Sequence, residues 1–147
     1  MSELKYANSF RDLVVYQKAR QASREIFKLT TRFPKEETFS LTDQIRRSSR
    51  SVGAQIAEAW AKRKYEKHFA SKLTDADGEQ QETQHWIETA QDCGYLTPQE
   101  AETLLQRYTE IGRLLGGMIA KAEQFCNPSP YSVREIQADY VVANSNN

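Results

Sequence analysis

Ala101-Glu-Thr-Leu104-Leu-Gln-Arg-Tyr108-Thr-Glu-Ile111-Gly-Arg-Leu-Leu115-Gly-Gly-Met118-Ile-Ala-Lys-Ala122-Glu-Gln-Phe125 decides the fold. Its stripe residues recur at alternating steps of three and four, which puts them on one face of an α-helix. Gly116-Gly117 falls inside this period, so both glycines are read as close-packing positions. Upstream, Thr97-Pro98-Gln99-Glu100 supplies a side-chain cap, a proline at the first helical position and Glu100 two residues on. Gly94 is placed to end the helix before it.

Three further segments repeat the pattern. Phe69, Leu73, Ala76, Gln80, Thr83, Ile87 and Ala90 form one stripe, thin in its middle because Gln80 and Thr83 are polar. Leu41, Ile45, Val52, Ile56 and Ala59 form another, crossing Ser48 or Ser49 amid a run of small residues. Gly53 in that run costs a helix interior roughly 1 kcal/mol relative to alanine, so a close approach by another helix is expected there. Val15, Ala19, Ala22, Ile26, Leu29 and Phe33 form the remaining stripe, which Phe33-Pro34 ends.

Four amphipathic segments with short links predict an all-α fold, an antiparallel up-down-up-down four-helix bundle. The helices are expected at about 11–33, 39–64, 66–93 and 98–125 within a domain spanning 1–127. In the tail, 128–147, Tyr131, Val133, Ile136 and Tyr140 to Val142 give a means of docking, while the Asn/Ser end is expected to be disordered.

A length of 147 residues with 39% apolar and 27% charged side chains suits one hydrophobic core beneath a solvated surface. No apolar run approaches the roughly 18 residues of a membrane span, and Met1 to Phe10 lacks a signal-peptide pattern. Cys93 and Cys126 make neither a disulfide framework nor a zinc motif. A cytoplasmic protein, without membrane association, is the expectation. The net charge of zero hides an asymmetry: residues 1–72 carry 16 Lys/Arg against 8 Asp/Glu, and residues 73–112 carry Arg107 against nine acids. Such a division suits complementary contacts between helices or subunits, or an anionic partner.

No catalytic constellation emerges, and no metal or other cofactor or small-molecule substrate is expected. Glu82-Thr-Gln-His85 has the Glu-x-x-His spacing of di-iron bundles, but Tyr65 stands where a second motif ending at His68 needs its glutamate. The cysteines fall near helix C-termini, where the helix dipole opposes a thiolate. Phosphate-binding and dinucleotide glycine motifs are absent.

The basic residues of the second helix carry more information. Arg47, Arg50 and Lys62 fall within about 120° of one another, opposite the apolar stripe, with Arg46 nearer the core boundary. Lys62, Arg63, Lys64 and Lys67 cluster at the helix exit, interleaved with Trp60, Tyr65 and His68. Cations among aromatics suit nucleic acid, through phosphate contacts and base stacking. The competing reading pairs the arginines with acids of the third helix, packs Trp60 in an interface and leaves the lysines solvated.

Several strings resemble a known family: Phe10-Arg-Asp-Leu-Val-Val-Tyr-Gln-Lys-Ala19, Phe33-Pro34, Leu41-Thr-Asp-Gln-Ile-Arg-Arg-Ser-Ser-Arg-Ser-Val52 and Ile56-Ala-Glu-Ala-Trp60. Together they look like the four-helix bundles encoded in intervening sequences of bacterial 23S rRNA genes, a family that includes the accessory variability determinant of diversity-generating retroelements. Gln44, Arg46, Arg47, Ser51, Ile56, Ala57, Glu58 and Trp60 match its second-helix motif; Gly53, Gln55 and Ala59 depart from it. The resemblance implies a non-enzymatic, ring-like homopentamer and, for the retroelement member, binding of reverse transcriptase and nucleic acid.

The leading expectation is a homo-oligomeric adaptor for structured RNA or a nucleoprotein such as a reverse transcriptase. Arg46, Arg47, Arg50, Lys62, Arg63, Lys64 and Lys67 would contact phosphates, and Gly53, Ala54, Ala57, Glu58 and Trp60 would serve an interface. The alternative is a protein-only scaffold in which basic helices 1 and 2 of one subunit meet acidic helix 3 of the next.

Overall fold

The computed structural model describes residues 7–127 and 140–142. A 3₁₀ turn, Phe10–Asp12, leads into α1 (Val14–Thr30); a second, Lys35–Glu37, precedes α2 (Leu41–Ala61); α3 (Glu66–Asp92), α4 (Pro98–Ala120) and a short α5 (Ala122–Cys126) follow. The four long helices form a closed circuit in which α1 meets α2 and α4, and α3 meets α2 and α4. This is the up-down-up-down four-helix bundle that the periodicity predicts.

The predicted stripes are the core with one shift: on α1 Leu29 is only partly buried and Thr30 takes the buried position. Every stripe position of α3, from Phe69 to Ala90, is buried, including Gln80 and Thr83. The polar pair is accommodated by hydrogen bonding, as burial demands. Thr83 donates to the Glu79 carbonyl at 2.8 Å, and its hydroxyl lies 2.9 Å from that of Ser48, buried on α2. Gln80 donates to Asp77 Oδ1 at 2.9 Å and accepts from Gln84 Nε2 at 2.7 Å. Gly112 on α4 makes room for it: a Cβ there would stand 2.6 Å from Gln80 Nε2.

The helices end where local chemistry stops them, and α1, α2 and α4 are shorter than the apolar periods suggest. α1 stops at Thr30 instead of 33, because the next N–H groups reach back only three residues; Phe33 donates to the Thr30 carbonyl at 3.1 Å. At the far end of α2, Lys62 leaves helical geometry at ψ 15°, so Lys62 to Lys64 form a turn. α3 ends in a Schellman motif: Gly94 has φ 78°, Gly94 N–H donates to the Gln91 carbonyl and Tyr95 N–H to the Ala90 carbonyl, each at 2.9 Å. Thr97 and Glu100 form a reciprocal capping box around Pro98. The segment expected to run to 125 breaks at Lys121 (ψ 23°), separating α4 from α5.

Part of the tail docks. Val142 N–H donates to the Asp12 carbonyl at 2.7 Å, and Val141 forms an antiparallel bridge with Leu13. Tyr140 packs edge-on against Phe125 at 5.7 Å. Its hydroxyl occupies the space over Gly117, where a Cβ would lie 2.3 Å away; a Cβ on Gly116 would meet nothing within 4 Å. Close packing therefore explains Gly117 and does not explain Gly116. Tyr131, Val133, Ile136 and the Asn/Ser end lie outside the described residues.

Candidate nucleic-acid interface

The predicted cations divide into two groups, because Arg50 and Lys62 stand 12 residues apart, roughly 18 Å of helix axis at 1.5 Å per residue. In the first group, Arg46 is half-buried and fixed in place. Its Nε donates to Thr30 Oγ1 at 2.8 Å, and Thr30 passes its own proton to the Ile26 carbonyl at 2.8 Å. This holds the Arg46 guanidinium 4.6 Å from the ring centroid of Phe27, while Arg50 reaches the same ring at 5.8 Å. Arg47 points away and forms an exposed ion pair with Asp43 at 3.7 Å.

The second group surrounds the turn from α2 to α3. Lys62, Lys64 and Lys67 are exposed, and Lys64 lies 5.8 Å from the ring centre of exposed Tyr65. Arg63 folds back instead: its Nε donates to the Trp60 carbonyl at 3.0 Å and its guanidinium lies 3.6 Å from the Trp60 ring centroid. Burial lowers the Arg63 pKa, opposed by the nearby Cys126. Trp60 is buried in this chain's own core, so Tyr65 and His68, 5.3 Å apart, are the aromatics this turn presents.

The arginines of α2 do not pair with the acids of α3. The ion pairs across the bundle join Lys18 to Glu110 (3.4 Å), Arg107 to Glu25 (2.9 Å), Lys72 to Glu58 (3.6 Å) and Arg32 to Glu100. Arg20, Arg24, Lys28, Arg46 and Arg50 have no carboxylate within 4.0 Å among the described residues. The structure thus joins Arg46 and Arg50 to a row on α1 that the reading of helix 2 missed. The signal was present: Arg20, Arg24 and Lys28 repeat at four-residue steps, which places them on one helix face.

Two hollows run along this face. One, of about 340 Å³, is lined by Ser23, Arg24, Phe27, Lys28 and Arg50. The other, of about 300 Å³, shares Ser23 and Arg50 and continues past Tyr16 to Gly53, Ala54 and Ala57. Gly53 is covered by Tyr16, but a Cβ would meet that ring at 3.6 Å, an ordinary contact. Packing within the chain therefore leaves room for a methyl group at this position. Glu58 is exposed and engaged by Lys72.

The opposite side is acidic. Burial raises the Glu79 pKa, and the charges of Glu82 and Asp75 add to it. Glu82 accepts from Trp86 Nε1 at 3.1 Å, and His85 is exposed beside that tryptophan. Among the described residues, no three His, Cys, Asp or Glu side chains are grouped to hold a metal ion, and no helix is long and apolar enough to cross a membrane.

These features define a four-helix bundle with a cationic α1–α2 face, on which Arg20, Arg24, Lys28, Arg46 and Arg50 have no carboxylate within 4.0 Å among the described residues. Residues 11–117 match the family described as 23S rRNA-intervening sequence protein, and the chain belongs to that family. It is similar to a crystal structure of a protein of unknown function from the S23 ribosomal protein family of Bacteroides thetaiotaomicron. That similarity has 32% identity and a TM-score of 0.66, covering 73% of this chain and 96% of the other. No curated protein matches the chain.

Proposed function

We propose that this protein is a non-enzymatic, homo-oligomeric adaptor whose α1–α2 face binds RNA, either a structured RNA or one held in a nucleoprotein such as a reverse transcriptase complex. The observation that carries this reading is the set of five cations, Arg20, Arg24, Lys28, Arg46 and Arg50, without a carboxylate partner among the described residues. Like charges four residues apart on a helix repel, and RNA phosphates relieve that repulsion while releasing counterions. The ring-like pentamer and the cytoplasmic setting are parts of the proposal that rest on the family resemblance and on the composition.

The test is binding of a labelled structured RNA across salt concentration. Five phosphate contacts give a log–log slope near −4.5, a fall of roughly 500-fold between about 50 and 200 mM salt. The triple variant Arg24→Gln/Lys28→Gln/Arg50→Gln should bind more weakly and flatten the slope to about −1.8. An intact oligomer that ignores RNA at low salt would refute the reading.

A protein-only scaffold is the second reading, favoured by Glu79, Glu88 and Asp92 of α3, which have no cation within 4.0 Å among the described residues. It predicts an oligomer that dissociates in high salt and is indifferent to nuclease.

A further inference from the structure

We infer that Phe27 and the cations around it form a site for an unpaired nucleotide, with the base stacked against the Phe27–Arg50 surface and flanking phosphates held by Arg24 and Lys28. The inference rests on the RNA-binding reading and adds what kind of RNA the face selects. Phe27 is 46% exposed, although α1 has a core within reach and buries Ile26 beside it. Leaving a ring in water forgoes the stabilisation of burial. Its setting is nevertheless ordered: Arg46 is tied to Thr30 and stacked toward the ring, with Arg50 above the same side chain. The result is a half-exposed ring flanked by two guanidinium groups, lining a hollow of about 340 Å³ whose charged lining is wholly basic.

Duplex RNA would use only half of this equipment. It presents phosphates to cations, but its bases are stacked on one another and their faces are closed to side chains. A single strand, loop or bulge supplies both a phosphate and a free base face. Stacking on an aromatic ring is tolerant of sequence because every base has a π face. Acidic polypeptide without aromatics would satisfy the cations and leave the ring without a stacking partner. The α3 face of a second copy carries His85 and Trp86 beside Glu82, and the oligomeric state of a Phe27 variant separates that occupant from RNA. The adjoining groove toward Gly53 and Ala57 gives a strand leaving the hollow a path between the helices.

The experiment compares the full chain with its Phe27→Leu and Phe27→Trp variants, using fluorescence anisotropy on a labelled 12-mer single strand and a blunt duplex. Leucine keeps the apolar volume and the helix while removing the π face; circular dichroism and size exclusion check that fold and assembly are unchanged. The expected result is a loss of about tenfold or more in single-strand affinity for Phe27→Leu, with the salt slope unchanged. Duplex affinity should be unaffected, and Phe27→Trp should restore single-strand binding with its fluorescence quenched. Unchanged single-strand affinity in Phe27→Leu would overturn this site while leaving RNA binding intact. Failure of the wild-type chain to bind either RNA would overturn the underlying reading as well. If neither RNA binds and Phe27→Leu dissociates the oligomer, the face is a contact between copies and the nucleotide site is refuted.

Discussion

Gly116 and Gly117 are adjacent in α4, yet the structure predicts different consequences for the same substitution. A Cβ on Gly116 points into open space, so Gly116→Ala should stabilise the fold by about 1 kcal/mol through helix propensity alone. At Gly117 the new Cβ would sit 2.3 Å from the Tyr140 hydroxyl oxygen and 3.3 Å from Cζ, and Phe125 stands against the ring. The Tyr140 side chain must swing away from Gly117 and Phe125, and we expect the strap of Tyr140 to Val142 to detach with it. What it loses is roughly 2–3 kcal/mol of tyrosine burial, about 1 kcal/mol for the Val142–Asp12 hydrogen bond and about 0.5 kcal/mol for the Lys121 contact with the ring. What it regains is the freedom of three residues, at about 1–2 kcal/mol each. The strap is docked, so its contacts outweigh this entropy; at about 1 kcal/mol per residue they win by roughly 0.5–1.5 kcal/mol. Gly117→Ala gives up that margin and recovers about 1 kcal/mol of helix propensity, so global stability should change by no more than about 1 kcal/mol. Hydrogen exchange separates the two variants: the Val142 amide should stay protected in Gly116→Ala and exchange freely in Gly117→Ala. Adding Tyr140→Phe to Gly117→Ala removes the clashing oxygen and should restore protection in part. Equal Val142 protection in both single variants, or a loss above about 2 kcal/mol in Gly117→Ala, would refute this account of the strap.

Acid should weaken the tie between the turn that follows α1 and the start of α4. The hydrogen bond from Arg32, followed by that from the Thr97 backbone, holds the Glu100 carboxyl at about 2 instead of 4.5. Its contribution is present above pH 4.5 and is lost as pH falls towards 2, so Glu100→Gln should destabilise at neutral pH and converge on wild type in urea titrations near pH 2. Ser48→Ala and Thr83→Val should each cost about 1 kcal/mol, and the double variant less than their sum, because both disrupt one buried hydroxyl pair. Strict additivity would show that the pair is not coupled. Phe39, 95% exposed, should tolerate Phe39→Ser within about 0.5 kcal/mol by urea unfolding; a larger loss would mean that another chain covers it.

Helix identity was legible because it is a local property. The spacing from Phe69 to Ala90 records which side of α3 is dry, and the Thr97-Pro98-Gln99-Glu100 string records where α4 begins; neither depends on a distant residue. The polar stripe positions were visible too, but not their partners, because the match of Thr83 to Ser48 depends on how α2 and α3 are set against each other. The same limit governs the candidate site. Spacing on α2 alone grouped Arg47 with Arg50, whereas the fold separates them: Arg47 turns to Asp43, and Arg50 turns across the seam to Phe27 of α1. Trp60 was read as an interface residue because nothing in its own helix shows that Arg63 closes over it. Gly116 and Gly117 make the point most sharply, since their difference lies in Tyr140, beyond the end of α5. One helix face can therefore be read from its own period, whereas a site shared by two helices needs their relative rotation. Arg20, Arg24 and Lys28 carried a readable period of their own, and they became a candidate site only when α2 brought Arg46 and Arg50 to the same ring.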